Sequence, residues 1–152
     1  MVRTQVDCTG GVVVGHDGSE ASTVAVRHAA RLAARLDCPL HVVRVWTLTT
    51  APRPASMTPG YVPPPEDFEQ AVLDELSGAI SAMSLPEDCK IELHASRGQT
   101  TERLLEAADG AEMLVVGRRG GGGFRGLKFG STADQAVRYA TVPVLVVPNV
   151  RD

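Results

Sequence analysis

The amino-acid sequence predicts an α/β protein, a doubly wound, five-stranded parallel sheet with helices on both faces. Five short aliphatic segments alternate with four segments of helical periodicity, which is the pattern of a layered α/β structure. The strand segments are nearly continuous apolar runs, as in parallel strands that are buried on both faces. Aromatic residues make up only 4% of the chain, so the core must consist mainly of valine, leucine and alanine.

The first half of the chain contains a strand, a helix and a second strand. GVVVGH (11–16) is an aliphatic run that ends in the turn sequence DGS, and a helical pattern begins at Ser19 and ends near Asp37. LHVVRVW (40–46) has the β-branched composition of a strand. Residues 47–65 hold six prolines and one glycine, so they are expected to form a loop or flap.

The second half continues the alternation. A helix is predicted from about Glu66 to Met83, a strand over 90–96, a short helix from Thr100 and a buried strand over 112–117. Ser131 is predicted to be the N-cap of a helix that runs to about Ala140, with Asp134 as a weak capping-box partner. VPVLVV (142–147) is the last strand. No segment separates two cores, so we expect one domain over residues 1–152.

Composition places the protein among soluble globular proteins. Hydrophobic residues make up 43% and charged residues 22% of the chain. No stretch approaches the roughly 20 apolar residues of a membrane span, and MVRTQVDCTGG has no apolar signal-peptide region. We therefore expect a cytoplasmic protein with no membrane partner.

The cysteines and histidines give no metal or disulfide signal in the sequence. Three cysteines with wide spacing and no CxxC predict neither a disulfide framework nor a zinc site, and reduced, mostly inert thiols are expected. The four histidines lack metal-ligand spacing. These residues are Cys8, Cys38, Cys89, His16, His28, His41 and His94.

The segment GRRGGGGFRGLKFGST (117–132) holds seven of the 15 glycines, four cations and no acid. It begins at the carboxyl end of a predicted strand and ends at a predicted helix N-terminus, where unpaired N–H groups and the helix dipole attract anions. Without its four cations the chain would carry 11 basic and 18 acidic residues. A local basic loop on an acidic protein indicates a small anion rather than nucleic acid.

Known phosphate-binding sequence patterns differ in how well they match residues 117–132. The P-loop pattern fails because no Gly-Lys pair occurs. A GxGxxG can be traced through Gly121, Gly123 and Gly126, but the acid expected about 20 residues later falls in the apolar last strand. In this segment Gly117 is followed after two residues by Gly120, and after nine more by Gly130-Ser131. This spacing resembles the G-x2-G-x9-G-[ST] signature of the universal stress protein family. VVVGHDGSEAS, HVVRVW and TVPVLVV resemble the opening, second and closing strands of that family.

The resemblance implies a site for adenine nucleotide, because the glycine signature marks the branch of the family that binds ATP. Backbone N–H groups and hydroxyls of the signature residues would hold the phosphates and ribose, Asp17 would lie near the ribose and triphosphate, and Val45 would contact adenine through its main chain. The signature residues carried over are Gly117, Gly120, Gly130, Ser131 and Thr132. Any Mg²⁺ would be carried by the triphosphate, since no metal-binding residues are evident.

Several residues keep a second interpretation. Asp17 precedes Gly18-Ser19 and could serve only the turn, and Val45 could belong only to the core. His16 could add pH sensitivity beside the phosphate site, or could point into the sheet. The loop cations could reach a phosphate oxygen or remain solvated; they are Arg118, Arg119, Arg125 and Lys128.

Three functions remain open at this stage: a nucleotide-binding stress or signalling module, an ATPase or phosphotransferase, and a nucleotide-free dimeric adaptor. Phosphoryl transfer requires a base and a metal position, and only Asp17 is a candidate base, so slow hydrolysis at most is expected. The apolar strand in 142–148 is expected to form a homodimer, as the resemblance also implies.

Overall fold

The computed structural model describes residues 1–118 and 130–148. Strands and helices alternate along the chain, and all five strands are parallel. The elements are β1 (Val12–Gly15), α1 (Glu20–Leu36), β2 (Leu40–Trp46), α2 (Pro65–Ser81), β3 (Ile91–Arg97), α3 (Thr100–Ala108), β4 (Met113–Gly117), α4 (Ser131–Tyr139) and β5 (Val144–Val147). The predicted fold class is therefore confirmed.

The order of strands in the sheet is β3-β2-β1-β4-β5. The chain winds from β1 to one edge through β2 and β3, and then returns to add β4 and β5 on the other side of β1. The winding direction therefore reverses between β1 and β4, and the crevice outside their carboxyl ends is where ligands bind in sheets of this type. Asp17 follows β1 and Arg118 follows β4, at this reversal.

Two helices cover each face of the sheet. Val12 and Val14 of β1 pack with α1 and α2 on one face, whereas Val13 packs with α3 and α4 on the other. All three valines are fully buried, because alternate side chains of a central strand point to opposite faces. The sheet thus forms the centre of a three-layer structure.

Three helix starts differ by one residue from the predicted ones. α1 begins at Glu20, with Ser19 as its N-cap. Pro65 is the first residue of α2, a position that suits proline because the first helical N–H has no partner in the helix.

Gly130, not Ser131, is the N-cap of α4, so the predicted cap was wrong by one residue. The reason is that the Gly130 backbone is extended while its carbonyl already accepts the N–H of Asp134 at 3.0 Å. Asp134 pairs instead with Arg138, at 3.1 Å.

The proline-rich segment between β2 and α2 contains no helix or strand, in agreement with the predicted loop. Its one regular feature is an isolated bridge between Thr58 and Tyr61. At the other end of the described chain, β5 is two residues shorter at its start than predicted, because Thr141 and Val142 lie in a bend. None of the helices in the described parts of the chain is both long enough and apolar enough to cross a membrane.

The N-terminal segment, residues 1–11, starts beside α2, where Arg3 N–H donates to Glu69, and then continues across the α3 side of the sheet. The carbonyls of Arg3 and Thr4 accept hydrogen bonds from Arg97 N–H, at 2.9 Å, and from the Ser96 hydroxyl, at the carboxyl end of β3. Cys8, further along, is buried in the core on that side. The segment therefore runs from the carboxyl end of the sheet towards its amino end, opposite to the strands it covers.

Candidate site at the carboxyl ends of strands β1 and β4

A cleft opens where the winding of the sheet reverses. It holds about 690 Å³ of empty space, part of which is open solvent at its mouth. Its described lining comes from the ends of β1, β2 and β4 and from the first turns of α1, α3 and α4. The lining residues are Gly15, His16, Asp17, Ser19, Ser22, Val43, Val45, Thr100, Leu104, Val116, Gly117, Gly130, Ser131, Thr132 and Ala133.

Asp17 is fixed by the turn between β1 and α1. Its Oδ1 accepts hydrogen bonds from Ser19 N–H and from the Ser22 hydroxyl, both at 2.9 Å. Partial desolvation opposes ionisation of this carboxyl group, but the hydrogen bonds from Ser19 and Ser22 outweigh it and lower the pKa of Asp17. The carboxylate is therefore a fixed negative charge at the cleft, held on the positive end of α1.

Gly18 and Ser19 turn the chain from the strand into the helix. Gly18 has a φ of +88°, in the region that favours glycine, and Ser19 caps α1 by accepting the Ser22 N–H at 3.2 Å. The interpretation of Asp17 as a turn residue is thus correct, because its carboxylate stabilises this turn. Its position in the cleft leaves the ligand role open as well.

His16 is buried and lies between the cleft and the helix layer of α1 and α2. Its Nδ1 accepts the Gly18 N–H at 3.3 Å, so the proton of the neutral ring is on Nε2, which lies 3.1 Å from the Thr23 hydroxyl. Burial lowers the pKa of His16, the neighbouring Asp17 raises it, and Arg44 of β2 lowers it further, with a net decrease. A neutral imidazole that braces the turn is therefore expected at neutral pH.

The two ends of the glycine segment are joined beside the cleft. Arg118 N–H donates to the carbonyl of Val147 in β5, and the Arg118 carbonyl accepts the N–H of Gly130, each at 2.8 Å. Gly117 lies against the start of α1, where a Cβ would be 3.3 Å from the Ala21 carbonyl oxygen. The chain therefore leaves β4 and enters α4 at nearly the same point.

The N-terminus of α4 forms one wall of the cleft. Gly130, Ser131 and Thr132 all line it, and no side chain among the described residues caps this helix. The Thr132 hydroxyl lies 3.5 Å from that of Thr101 in α3, which links the two helix starts. The first N–H groups of α4 thus point, with the positive end of the helix dipole, towards the cleft.

The structure brings six of the seven predicted site residues to this one cleft: Asp17, Val45, Gly117, Gly130, Ser131 and Thr132. Val45 is half-buried, and its side chain packs in the core of the α3 side. Gly120, Arg119, Arg125 and Lys128 lie outside the described residues, and their predicted roles stay predictions. Arg118 is described, and its Nε is shielded from solvent with no hydrogen-bond partner among the residues described.

Three hydroxyl residues of the cleft were not predicted as site residues. Thr100 starts α3, separated from β3 by two residues. Ser19 caps α1, and Ser22 binds Asp17 from the first turn of that helix. A signal for Thr100 was available, because it is a polar residue at the carboxyl end of a predicted strand. Ser22 gave no such signal, since its role depends on how the turn folds back onto the helix.

Comparison with known proteins identifies the family. The model of the universal stress protein family matches residues 10–148. The chain belongs to this family. A universal stress protein of Mycolicibacterium smegmatis is 35% identical over 144 residues, which cover 90% of this chain and 45% of the relative. One of Mycobacterium tuberculosis is 30% identical over 137 residues, covering 89% and 44%. The chain thus spans about half the length of these curated relatives.

Solved structures of universal stress proteins share the fold. One, crystallised in complex with cAMP, is 27% identical with a TM-score of 0.64, and the match covers 93% of this chain and 98% of that one. Another, from Lactobacillus plantarum, is 21% identical with a TM-score of 0.65 and coverage of 93% and 99%. The second likeness concerns the fold alone.

Proposed function

We propose that this universal stress protein binds an adenine nucleotide, ATP, in the cleft between the carboxyl ends of β1 and β4, and acts as a stress-response or signalling module. The observation that supports this proposal is that two walls of the cleft are polar. The start of α4, without a side-chain cap among the described residues, forms one wall, and the fixed Asp17 carboxylate lies on the other.

The phosphates belong at α4. N–H groups at a helix start and the positive end of its dipole bind phosphate without any cationic side chain. The Ser131 and Thr132 hydroxyls add two donors at the same place. Glycine at position 130 leaves space for an oxygen to approach the backbone. Several charge-assisted hydrogen bonds of about 1.5–3 kcal/mol each are compatible with the roughly −8 kcal/mol of a micromolar complex.

The nucleoside belongs nearer β1 and β2. Val43 and Val45 supply an apolar surface at the end of β2, suited to a purine base. All the hydrogen bonds of the Asp17 carboxylate within the described chain fall on Oδ1, so Oδ2 is available to accept ribose hydroxyls. A related universal stress protein of the same fold has been crystallised with cAMP, which supports an adenine nucleotide as the class of ligand.

The four cations of segment 117–132 favour ATP over nucleotides that carry less charge. They would attract a triphosphate more strongly than a monophosphate. Mg²⁺ would then accompany the triphosphate, where it neutralises charge. The chain is proposed to form one nucleotide-binding domain over residues 1–152, and its cytoplasmic location stays a prediction.

Hydrolysis is expected to be slow at most. A general base works best with a pKa near the working pH, but the hydrogen bonds from Ser19 and Ser22 lower the pKa of Asp17 below its usual value. His16 is neutral but both ring nitrogens are engaged, with Gly18 and Thr23. Neither residue is well suited to activate a water molecule, so the cleft suits binding better than turnover.

Equilibrium titration tests this proposal. ATP with Mg²⁺, AMP and cAMP would each be titrated into nucleotide-free protein by calorimetry, followed by overnight incubation with ATP and chromatography of the products. Micromolar affinity for ATP, weaker affinity for AMP and persistence of ATP are expected. Weak binding of all three would overturn the proposed function, and turnover on the scale of seconds would replace it with the enzyme interpretation.

A further inference from the structure

Three residues far apart in the sequence meet on the α3 side of the sheet, away from the cleft. They are Cys8 of the N-terminal segment, His41 of β2 and His94 of β3, and one possible ligand atom from each lies within 4.8 Å of the others. Their wide spacing in the sequence predicts no zinc site. The fold nevertheless brings a thiol and two imidazoles together.

The pairing of β2 with β3 accounts for the position of the two histidines. His41 lies opposite Glu92 and Val43 lies opposite His94 in the parallel register, so both histidines and Glu92 are on the same face. His41 Nδ1 is 2.9 Å from His94 Nε2, and 3.8 Å from a Glu92 carboxylate oxygen. Two imidazole nitrogens therefore face each other beside a carboxylate, one of them donating the proton of the hydrogen bond between them.

The hydrogen bonds of His41 within the described chain leave one of its two ring nitrogens without a partner. The residue is buried, and its Nε2 is shielded from water and has no hydrogen-bond partner among the described residues. Buried polar groups are nearly always paired, so a buried histidine with a partner on one nitrogen alone requires an explanation. A metal ion on Nδ1 would hold the ring more firmly than a single hydrogen bond to a second imidazole but would leave Nε2 unpaired, so the meeting of one thiol and two imidazoles carries the proposal.

Space for the His41 ring is reserved by a glycine. A Cβ at position 11 would lie 2.7 Å from His41 Nε2 and 2.5 Å from its Cδ2, closer than atoms normally approach. Any larger residue at position 11 would thus displace the ring. The N-terminal segment therefore contributes a space for one histidine as well as the Cys8 side chain.

We propose that Cys8, His41 and His94 form a binding site for Zn²⁺, or for another thiophilic first-row metal ion. One thiolate and two imidazoles are the ligand types that zinc prefers, with bonds of about 2.3 Å to sulfur and about 2.0–2.1 Å to nitrogen. Metal binding displaces the thiol proton of Cys8 into solvent. The fourth position is left to solvent or to Glu92, whose side chain is 57% exposed and has a carboxylate oxygen 3.8 Å from His41 Nδ1.

The site would act as a clamp on the N-terminal segment. Cys8 is in that segment, whereas both histidines are in the sheet, so a bound ion joins the segment to β2 and β3. It would add to the hydrogen bonds of Arg3 and Thr4 with Arg97 and Ser96 at the other end of the segment.

The clamp is separate from the nucleotide cleft. None of its three residues is in the described lining of the cleft, and the nearest cleft residue on β2 is Val43, two residues after His41 or about 7 Å along the strand. Hard oxygen-preferring ions such as Mg²⁺ would not compete for a thiolate and two imidazoles. Binding of the two ligands can therefore be measured independently.

Cobalt provides a direct test on untagged full-length protein, without added nucleotide because nucleotides bind metal ions themselves. Co²⁺ bound by Cys8 should give a thiolate-to-cobalt charge-transfer band in the near ultraviolet and visible bands typical of tetrahedral coordination. Competition with Zn²⁺ should then abolish both and yield one zinc ion per chain. Absence of the charge-transfer band in the wild-type protein would overturn the proposal.

Two variants and two controls locate the site. Cys8→Ser and His94→Gln should each weaken Zn²⁺ binding by at least about 100-fold, since even residues that only orient a ligand cost about 10–100-fold. Cys38→Ser and His28→Gln, outside the cluster, should bind as the wild type does. His94 is only half-buried, so His94→Gln remains informative if Cys8→Ser fails to fold. Unchanged affinity in His94→Gln would contradict the site.

Discussion

Oδ1 of Asp17 and the hydroxyl of Ser22 lie 2.9 Å apart, and this hydrogen bond ties the end of the first strand to the first turn of α1. The same oxygen accepts the N–H of Ser19, so the carboxylate is held in one orientation beside the cleft. A charged group whose position is fixed before any ligand arrives loses little entropy on binding. Asp17 therefore stabilises the turn, and its fixed carboxylate suits the ligand role that we propose for it.

Asp17→Asn is expected to weaken ATP binding about 10–100-fold, the equivalent of one charge-assisted hydrogen bond of about 1.5–3 kcal/mol. The fold should survive, because the Asn carbonyl oxygen can still accept from Ser19 and Ser22. Calorimetric titration would measure the affinity. Asp37→Asn is the matched control at the other end of α1, where φ is +54° and asparagine is well tolerated. Equal affinities of the two variants would exclude a ligand role for Asp17.

Gly130→Val is expected to abolish measurable ATP binding while the fold remains largely intact. The φ and ψ of Gly130, −72° and 171°, suit any residue, so the substitution adds a side chain without straining the backbone. That side chain would occupy the approach to the start of α4. Gly117 is a poorer probe, because a Cβ there would already press on the Ala21 carbonyl.

Gly78→Val provides the control for position 130. Gly78 is in α2, and a Cβ there meets nothing within 4 Å. This variant should bind ATP with wild-type affinity, with unfolding monitored by circular dichroism in both proteins. Retained affinity in a folded Gly130→Val protein would show that the phosphates do not bind at α4.

The homodimer proposed for segment 142–148 places the edge of β5 at the interface. The carbonyls of Pro143 and Val147 accept from Leu114 and Arg118 on the β4 side, so the peptide groups of Val144 and Val146 face away from β4. Both valines are half-buried, and Val137 and Tyr139 of the neighbouring α4 are exposed. An apolar sheet edge of this kind is suited to pairing with another chain.

Val146→Pro should convert the dimer to a monomer, because it removes an outward N–H while leaving the bonds to β4 in place. Light scattering coupled to size exclusion would distinguish the 16.1 kDa monomer from a species of twice that mass. The variant should retain ATP affinity, which serves as the check on its fold. A wild-type protein that elutes as a monomer, or a variant that stays dimeric, would contradict this interface.

The lowered pKa of His16 predicts that the free energy of unfolding decreases in acid. Its pKa in the folded protein is lowered from the usual 6.5, mainly by burial, with Asp17 and Glu75 of α2 opposing and Arg44 contributing. Below pH 6.5 the unfolded chain therefore takes up a proton on His16 more readily than the folded protein does. The contribution of His16 to the free energy of unfolding is complete above that pH and is lost as the pH falls. The urea midpoint of the wild-type protein should drop between pH 7.5 and pH 5.

His16→Gln should show a smaller drop over the same range, since glutamine does not titrate and can still contact Gly18 and Thr23. Urea unfolding of both proteins at the two pH values gives the comparison. His28→Gln, a change at a half-buried histidine of α1 outside the cleft, should leave the wild-type drop unchanged. An identical drop in His16→Gln would show that His16 does not cause the acid sensitivity.

The sequence predicted the order and type of all nine elements, because apolar runs and helical periodicity are local signals. The N-cap of α4 was misplaced, since Ser131 has the composition of a cap while the geometry of Gly130 decides it. The grouping of the site residues at the cleft could be predicted, because ligands of open parallel sheets bind outside the carboxyl ends of the strands. The meeting of His41 and His94 follows no such rule, because it depends on the register of β3 against β2.

Ser22 and Thr100 illustrate the same limit at the site itself. Ser22 is an ordinary helix-start residue in the sequence, and only the folded turn brings it to Asp17 at the cleft. Thr100 follows a predicted strand, but that position alone does not show that it lines the cleft. The glycine signature, in contrast, is visible in the sequence because its residues are defined by their spacing along one segment, and its ligand role stays a prediction.

The most direct measurement is the identification of nucleotide carried by freshly purified protein. Denaturation, followed by chromatography and mass spectrometry, would release and identify any bound molecule, with Gly130→Val purified in parallel. Close to one adenine nucleotide per chain in the wild-type protein, and none in the variant, is the expected result. A wild-type protein that carries no nucleotide and takes up no ATP at millimolar concentration would contradict the proposed function and favour an adaptor.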